Sequence, residues 1–334
     1  MKADFNIHEG TLLLFPCRTD VWREGAIPAA RSVIALAALI ARQEPVYLGV
    51  PADRLGEIAP TVPAGVTVVP MDYDDIWCRD SGAVPVGENL VGFGFNAWGG
   101  EDGLCCEWER DATLPRQMSR LLQKPLTECP LTLEGGNLAT DGRGTLLAVR
   151  ETILCDNRNP GIDEKTAERM LKNALNAHRV VWLEQGIAYD ETGGHIDNLC
   201  AFADENTVLL AWTDDESNPS YAAVKDAQAR LISAGYEVVK IPLPKAFRRT
   251  EEDCTHITAM QGSKPRLPGE IIQGSYINFV FAGGAVIIPA FDDEADAVAL
   301  DIFKKQFPTR QVIQLPAREI LLGGGGFHCI TRNF

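Results

Sequence analysis

The chain has 334 residues, with 31 Lys+Arg against 46 Asp+Glu and a formal net charge of −15. A hydrophobic share of 46% and a charged share of 23% belong to a globular protein and exclude a disordered, collagenous or coiled-coil chain. The acidic balance argues against nucleic acid as a partner, because phosphate binding needs lysines and arginines to displace counterions.

In chain order, Met1–Gly10 is polar and carries no secretory h-region. A helix is expected over Ile27–Gln43, followed by a strand over Pro45–Val50. The longest apolar stretch, Val33–Ala41, is too short to cross a bilayer, so no membrane association is expected. A hairpin begins near Asp80, turns at Gly87-Glu88-Asn89 and returns over Leu90–Phe95. The next begins near Glu134, turns at Asp141-Gly142-Arg143-Gly144 and returns over Thr145–Val149. Then come a helix over Asp163–His178, with Asp163 as N-cap, and a strand over Arg179–Leu183. A third hairpin starts at His195, turns at Asp204-Glu205-Asn206 and returns over Thr207–Trp212. Helix Pro219–Ala234 and strand Tyr236–Ile241 follow, then an aperiodic stretch, Phe247–Gly274, readable as a lid or an exposed insertion. A fourth hairpin starts near Ser275, turns at Gly283-Gly284 and returns over Ala285–Pro289. Helix Glu294–Gln306 and strand Gln311–Leu315 precede a last half-hairpin at Cys329.

Helix followed by buried strand, several times over, is an α/β pattern. Five similar hairpin units suggest a closed ring of like modules, a five-bladed pseudo-symmetric α/β-propeller; an irregular α/β sandwich is the competing architecture. With no Pro/Ser linker or charge run, one domain over 1–334 is expected. The nine cysteines are odd in number, irregularly spaced and without a CxxC pair, which fits a reducing cytoplasm rather than a disulfide framework. Cys105-Cys106 falls in an acidic stretch and reads as a surface loop.

Polar residues gather where strands should be buried: Trp77-Cys78-Arg79-Asp80, Glu134-Gly135-Gly136-Asn137, Gly194-His195-Ile196-Asp197-Asn198 and Gly323–Cys329. They occupy equivalent places in the modules, so a ring would bring acids, an imidazole and a thiol together. Each has a plainer reading. His195 and Asp197, two apart on a strand, could share a metal, although no further ligand has sensible spacing. Asp80 could simply pair with Arg79, Gly323–Gly326 could be a flexible connector, and Cys329 a small buried hydrophobe.

These stretches, with Phe15-Pro16, Asp20-Val21-Trp22-Arg23, Phe95-Asn96-Ala97-Trp98-Gly99-Gly100, Asn157-Arg158-Asn159-Pro160, Tyr276-Ile277-Asn278-Phe279 and His328-Cys329-Ile330-Thr331, appear in the order found in a known family. The chain resembles the agmatine deiminases of the guanidino-group-modifying superfamily, whose other members deiminate arginine and peptidylarginine. It departs from them at Arg332-Asn333-Phe334, where two glutamines are usual, and at Cys78 and Ser81, where Met and Thr are commoner.

The resemblance implies a five-bladed propeller with its site on the axis and a hydrolase converting agmatine to N-carbamoylputrescine and ammonia. It implies Cys329 as nucleophile, forming an amidino-cysteine intermediate, and His195 as acid and base. Asp80 and Asp197 would clamp the guanidinium, since a carboxylate accepts two parallel N–H bonds. Glu134 would orient His195 or touch the substrate; Glu191, Trp77 and Trp98 would face its distal amine. No metal or organic cofactor is called for. Arginine, peptidyl arginine or another alkylguanidine is the alternative substrate, with Arg332 as the candidate for an α-carboxylate, and a non-catalytic guanidine or polyamine binder is the alternative class. A homodimer is expected from the commonness of that assembly.

Overall fold

Thr11–Leu14 runs parallel to Val46–Val50, which runs parallel to Val66–Pro70. Arg332–Asn333 returns from the far end of the sequence to lie antiparallel on Thr11–Leu14, completing a four-stranded sheet. This computed structural model describes residues 1–100 and 103–334. Among them, four three-stranded sheets repeat one order, an antiparallel hairpin followed by a parallel third strand. They are Val84–Val86, Asn89–Gly94 and Leu126–Thr132; Ala139–Thr140, Thr145–Val149 and Arg179–Leu183; Cys200–Phe202, Thr207–Trp212 and Glu237–Pro242; and Val280–Ala282, Ala285–Ala290 and Gln311–Pro316. A helix precedes each parallel partner: Ile27–Ile40, Leu114–Leu122, Glu164–Leu175, Tyr221–Ser233 and Ala295–Gln306. The mixed α/β fold thus consists of five like modules.

The middle strands, paired on both edges, are the most apolar; all six residues of Thr207–Trp212 are buried. Helix Glu164–Leu175 starts where Asp163 accepts the Thr166 amide at 2.7 Å, and it buries Ala167, Leu171 and Leu175 at intervals of one turn. Helix Leu114–Leu122 escapes the sequence pattern because Arg116, Gln117 and Arg120 leave only Leu114, Pro115 and Met118 buried. Its strand, Leu126–Thr132, contains Pro130 and slips register opposite Gly92 and Gly94. Cys105 is buried rather than exposed.

The chemically loaded stretches do not enter strands directly, as their alternation suggests. Each first makes a single tight turn, in which the amide of one residue donates to the carbonyl three before it. The pairs are Asp80 to Trp77 (3.0 Å), Asn137 to Glu134 (3.0 Å), Asn198 to His195 (3.4 Å), Asn278 to Ser275 (3.2 Å) and Thr331 to His328 (3.1 Å). This removes the strand-spacing argument for a shared metal, because Asp197 lies within the helical turn Ile196–Leu199 and His195 caps it.

Buried apolar clusters join neighbouring modules. One links Ala282 and Ile287 with Leu13 and Leu48, and with Leu90 and Met118; a second joins Val84 and Val91 to Leu146 and Leu171; a third runs from Leu147 through Leu209 to Phe279 and Phe303. The segment Phe247–Gly274 is tied at its ends by Phe247–Arg248 pairing with Ile271–Ile272. No helix among the described residues is long and apolar enough to cross a membrane.

The last strand is held by Phe334, whose buried ring lies 5.8 Å from that of Tyr47 and packs where Gly10 has no side chain. Phe334→Ala should therefore lower unfolding free energy by about 3 kcal/mol, measured by urea denaturation, although no described catalytic candidate touches it.

Candidate active site

The five turns bring their side chains together. His195 is wholly buried between two acids, with Nδ1 3.6 Å from Asp80 Oδ1 and Nε2 3.5 Å from Glu134 Oε2. Asp80 is fixed from its other sides: Trp98 Nε1 donates to Oδ2 at 2.9 Å and the Gly136 amide to Oδ1 at 2.9 Å. Trp98 reaches it from a loop in which Ala97 (φ 52°) and Trp98 (φ 64°) are both left-handed, a conformation non-glycine residues rarely hold without a constraint. Glu134 is paired with Arg158 Nε at 2.7 Å. Arg79, next to Asp80 in sequence, turns away and pairs with Asp4 at 3.2 Å, so the local ion pair considered from the sequence does not form.

Cys329 lies on the neighbouring turn. Its thiol donates to Asp197 Oδ2 at 3.4 Å and accepts from Asn278 Nδ2 at 3.0 Å. Asn278 Oδ1 also receives the amides of His328 (2.8 Å) and Cys329 (3.3 Å), so one side chain fixes both the turn and the sulfur. Asp197 Oδ2 is shared with His328 Nδ1 at 2.9 Å, while Oδ1 has no partner among the described residues. Gly136 sits where these groups meet: a Cβ there would lie 2.4 Å from Asp80 Oδ1, 2.8 Å from His195 Nδ1 and 3.1 Å from Asp197 Oδ2.

Charge follows from this crowding. Burial opposes protonation of His195, but Asp80 and Glu134 outweigh it and hold its pKa up to about 9, so the ring is a cation at neutrality. Burial pushes the Asp80 carboxyl up, with Asp197 and Glu134 adding to the rise. For Glu134 burial is outweighed by His195 and Arg158, and for Asp197 by His328, so both are held low. Burial, then Asp197 and Asp80, push the Cys329 thiol well above its ordinary value. The arrangement is a protonated thiol among acids, with an acidic imidazole at hand and a place for a planar cation.

A cavity opens on this cluster, lined by Trp77, Trp98, Asp80, Cys329, Asp75, Arg266 and Gly323–Gly325 among others. A Cβ on Gly325 would lie 2.6 Å from Trp77 Cζ3 and 3.1 Å from Cys329 Sγ, so only glycine lets this stretch pass between ring and thiol.

A family profile described as Porphyromonas-type peptidyl-arginine deiminase matches residues 1–334. The chain belongs to this family. It is 38% identical to an agmatine deiminase of Pseudomonas aeruginosa and 39% identical to one of Stutzerimonas stutzeri, covering 100% of this chain and 94% of each relative. The solved structure of an agmatine deiminase of Enterococcus faecalis superposes with a TM-score of 0.95 at 30% identity, covering 100% of this chain and 94% of that one.

Of the residues singled out in this family member's sequence, Cys329, His195, Asp80, Asp197, Glu134, Trp77 and Trp98 converge. Glu191 does not line the cavity. Its carboxylate receives Lys264 Nζ at 2.8 Å and Arg266 Nη1 at 2.5 Å, and these cations, outweighing burial, hold its pKa down to about 2. Both cations come from the aperiodic segment, and Arg266 also donates to the Gly323 carbonyl at 2.8 Å, so the segment forms a flap fastened over the cavity. Arg332 is buried, with Nη2 donating to the Arg79 carbonyl, and does not line the cavity. Four supporting residues escape sequence reasoning: Asn278, His328, Arg158 and Asp190, whose Oδ2 receives the His195 amide at 3.0 Å and Asn198 Nδ2 at 2.9 Å. The recurring Asn three residues into the turn at Asn137, Asn198 and Asn278 was the available signal for the first.

Gly136→Ala tests the convergence. The added methyl must displace Asp80, His195 or Asp197, and kcat/KM in an ammonia-release assay should fall by about 10²-fold, the usual effect of misplacing reacting groups by an ångström.

Proposed function

We propose that the chain is a hydrolase converting agmatine and water to N-carbamoylputrescine and ammonia through an amidino-cysteine intermediate. The observation that carries this is the Cys329 thiol bonded to Asp197 and Asn278 at the floor of an indole-walled cavity, beside an imidazole already protonated by its acidic neighbours. The agmatine deiminase names of relatives matched over the full chain support the same reading.

A guanidinium is planar, resonance-stabilised and always charged, so its carbon is attacked only when its charge is localised. Asp80 and Asp197 hold the nitrogens. The cation favours the thiolate, the thiol proton leaving to solvent as substrate binds, and the sulfur lone pair forms a bond to the guanidinium carbon while one C=N pair moves onto nitrogen. His195 gives its proton to a terminal nitrogen, the C–N bond breaks and ammonia leaves, which makes the S–C amidino adduct. Neutral His195 then takes a proton from water as the oxygen attacks that carbon. Collapse breaks the S–C bond, returns electrons to sulfur and leaves the carbamoyl group. Glu134, anchored by Arg158, keeps His195 in place, while Trp77 and Trp98 wall in the alkyl chain. No step draws on a metal or organic cofactor.

Arginine would need a cation for its carboxylate. Arg332 lies outside the cavity and Arg266 is taken by Glu191, which favours agmatine. The same reading has the five modules closed into a five-bladed propeller of one domain, supported by the apolar clusters joining each module to the next. It has the protein working as a homodimer in the cytoplasm, which suits nine free cysteines.

Ammonia release from agmatine, arginine and a blocked arginine peptide tests the reading: agmatine should show the highest kcat/KM, and Cys329→Ala should bind agmatine while releasing no ammonia. Comparable turnover of arginine would reject the substrate, and turnover by Cys329→Ala would reject the nucleophile. Activation by substrate is tested separately, from thiolate absorbance against pH. An inert guanidinium ligand should lower the Cys329 pKa by about 1–3 units, and an equal value in both conditions would reject the effect.

A further inference from the structure

Arg332 has no part in the chemistry above, although it is among the largest fully buried side chains of the protein. It lies behind the catalytic turns. A Cβ on Gly136 would press on Asp80, His195 and Asp197, whereas a Cβ on the preceding Gly135 would strike the Arg332 guanidinium and the Arg79 carbonyl. The paired glycines thus let the turn at Glu134 pass between the reacting cluster and a buried cation. Arg332 Nη2 donates to that carbonyl, and Nε has no partner among the described residues. No described carboxylate forms an ion pair with it. Asp4, its strongest source of negative charge, is engaged by Arg79 Nη1 and by His328 Nε2, each at 3.2 Å. Burial, then the like charge of Arg79, lower the Arg332 pKa to about 9, which still leaves it cationic at neutrality.

Both guanidiniums line a second cavity, bordered by residues 1–4 and by Asn333 and Phe334. Its charged lining is Lys2, Arg79 and Arg332 against Asp4, a cationic hollow in a chain of net charge −15. His8, also on its wall, faces Glu44 at 3.2 Å. A water there would satisfy an N–H but not the charge, and a buried cation without a counter-charge is strongly disfavoured. A planar guanidinium presents its N–H bonds as a fork that two oxygens of a carboxylate or phosphate accept together. An ion in this place would also touch the supports of the catalytic turns, since Arg79 donates to the His328 carbonyl and to Asn333 Oδ1.

We propose that this cavity is a binding site for a small oxyanion, a phosphate or a carboxylate, held by the guanidiniums of Arg332 and Arg79 on the side of the catalytic turns away from the substrate. The site stands whatever guanidine the enzyme takes. The test is isothermal titration of the full chain with inorganic phosphate and, separately, with acetate, at one ionic strength set by sodium chloride so that general screening cancels. One of the two ions should saturate a single site per chain, phosphate marking a phosphate-type ligand and acetate a carboxylate. Arg332→Gln should weaken that binding by about 30-fold or more, as expected when a buried charge pair loses one member. Asp4→Asn should tighten it by about three-fold or more, because a like charge leaves the cavity. A support role for Arg332 alone would not give these opposite shifts. Saturation by neither ion would overturn the proposal, as would an unchanged affinity in Arg332→Gln or an affinity in Asp4→Asn no tighter than in wild type. Should Arg332→Gln fail to fold, wild-type crystals grown in chloride and soaked in the ion that binds decide the matter. Density within hydrogen-bond reach of Arg332 and Arg79 supports the site, and density at any other place overturns it.

Discussion

Three carboxylates buried around one imidazole set the terms for the rest of the molecule. Asp80, Glu134 and Asp197 cannot all remain ionised away from water unless positive charge reaches them. Arg158 serves Glu134 and His195 serves both Asp80 and Glu134, while Asp197 has only the His328 ring at 2.9 Å. With His195 as the charge shared between two acids, the cluster still holds more acid than base around the sulfur. That deficit makes a guanidinium welcome and leaves the empty thiol inert. In the proposed mechanism, the same electrostatics that select the substrate keep the Cys329 thiol protonated until it arrives.

Holding such a cluster requires rigidity behind it, and the network on its far side supplies this. Arg79 donates to the His328 carbonyl, to Asp4 and to Asn333, tying the turn at Asp80 to the turn at Cys329 and to the closing strand. His328 Nε2 reaches Asp4 Oδ2 at 3.2 Å, so the first residues of the chain also back the Asp197 turn. Stability and site geometry therefore share the same hydrogen bonds. The cavity side, by contrast, is bordered by the 247–274 segment, held mainly by polar contacts: ion pairs from Lys264 and Arg266 to Glu191 and the Lys264 amide on the Leu104 carbonyl.

The sequence revealed the modules more clearly than the site. Strands such as Thr207–Trp212 are apolar throughout because they pair on both edges, and turn residues mark their ends, so the hairpins could be found without coordinates. Leu114–Leu122 was hidden because a short helix with one thin buried stripe has little periodicity. The converging residues stood out as polar groups in apolar surroundings, but their turns did not, since one hydrogen bond per turn leaves no repeating pattern. Partners from remote stretches, such as Arg158 for Glu134 or Lys264 and Arg266 for Glu191, are set by folding and not by spacing. Glu191 shows the limit: proximity to His195 in sequence suggested a substrate contact, whereas the structure spends its charge on the flap.

The repeated turn offers five equivalent positions, and the chain equips them unequally. Trp77, Glu134, His195 and His328 head four of them with large or ionisable side chains, while Ser275 heads the fifth and spends its hydroxyl on the Asn198 carbonyl at 2.7 Å. Each turn is closed by its own backbone hydrogen bond, so a new side chain at position 275 gives up the hydroxyl's contacts and leaves the turns themselves closed. Diversification of such an enzyme then has a natural point of entry, a sparsely furnished place whose occupant can change without dismantling the chemistry opposite.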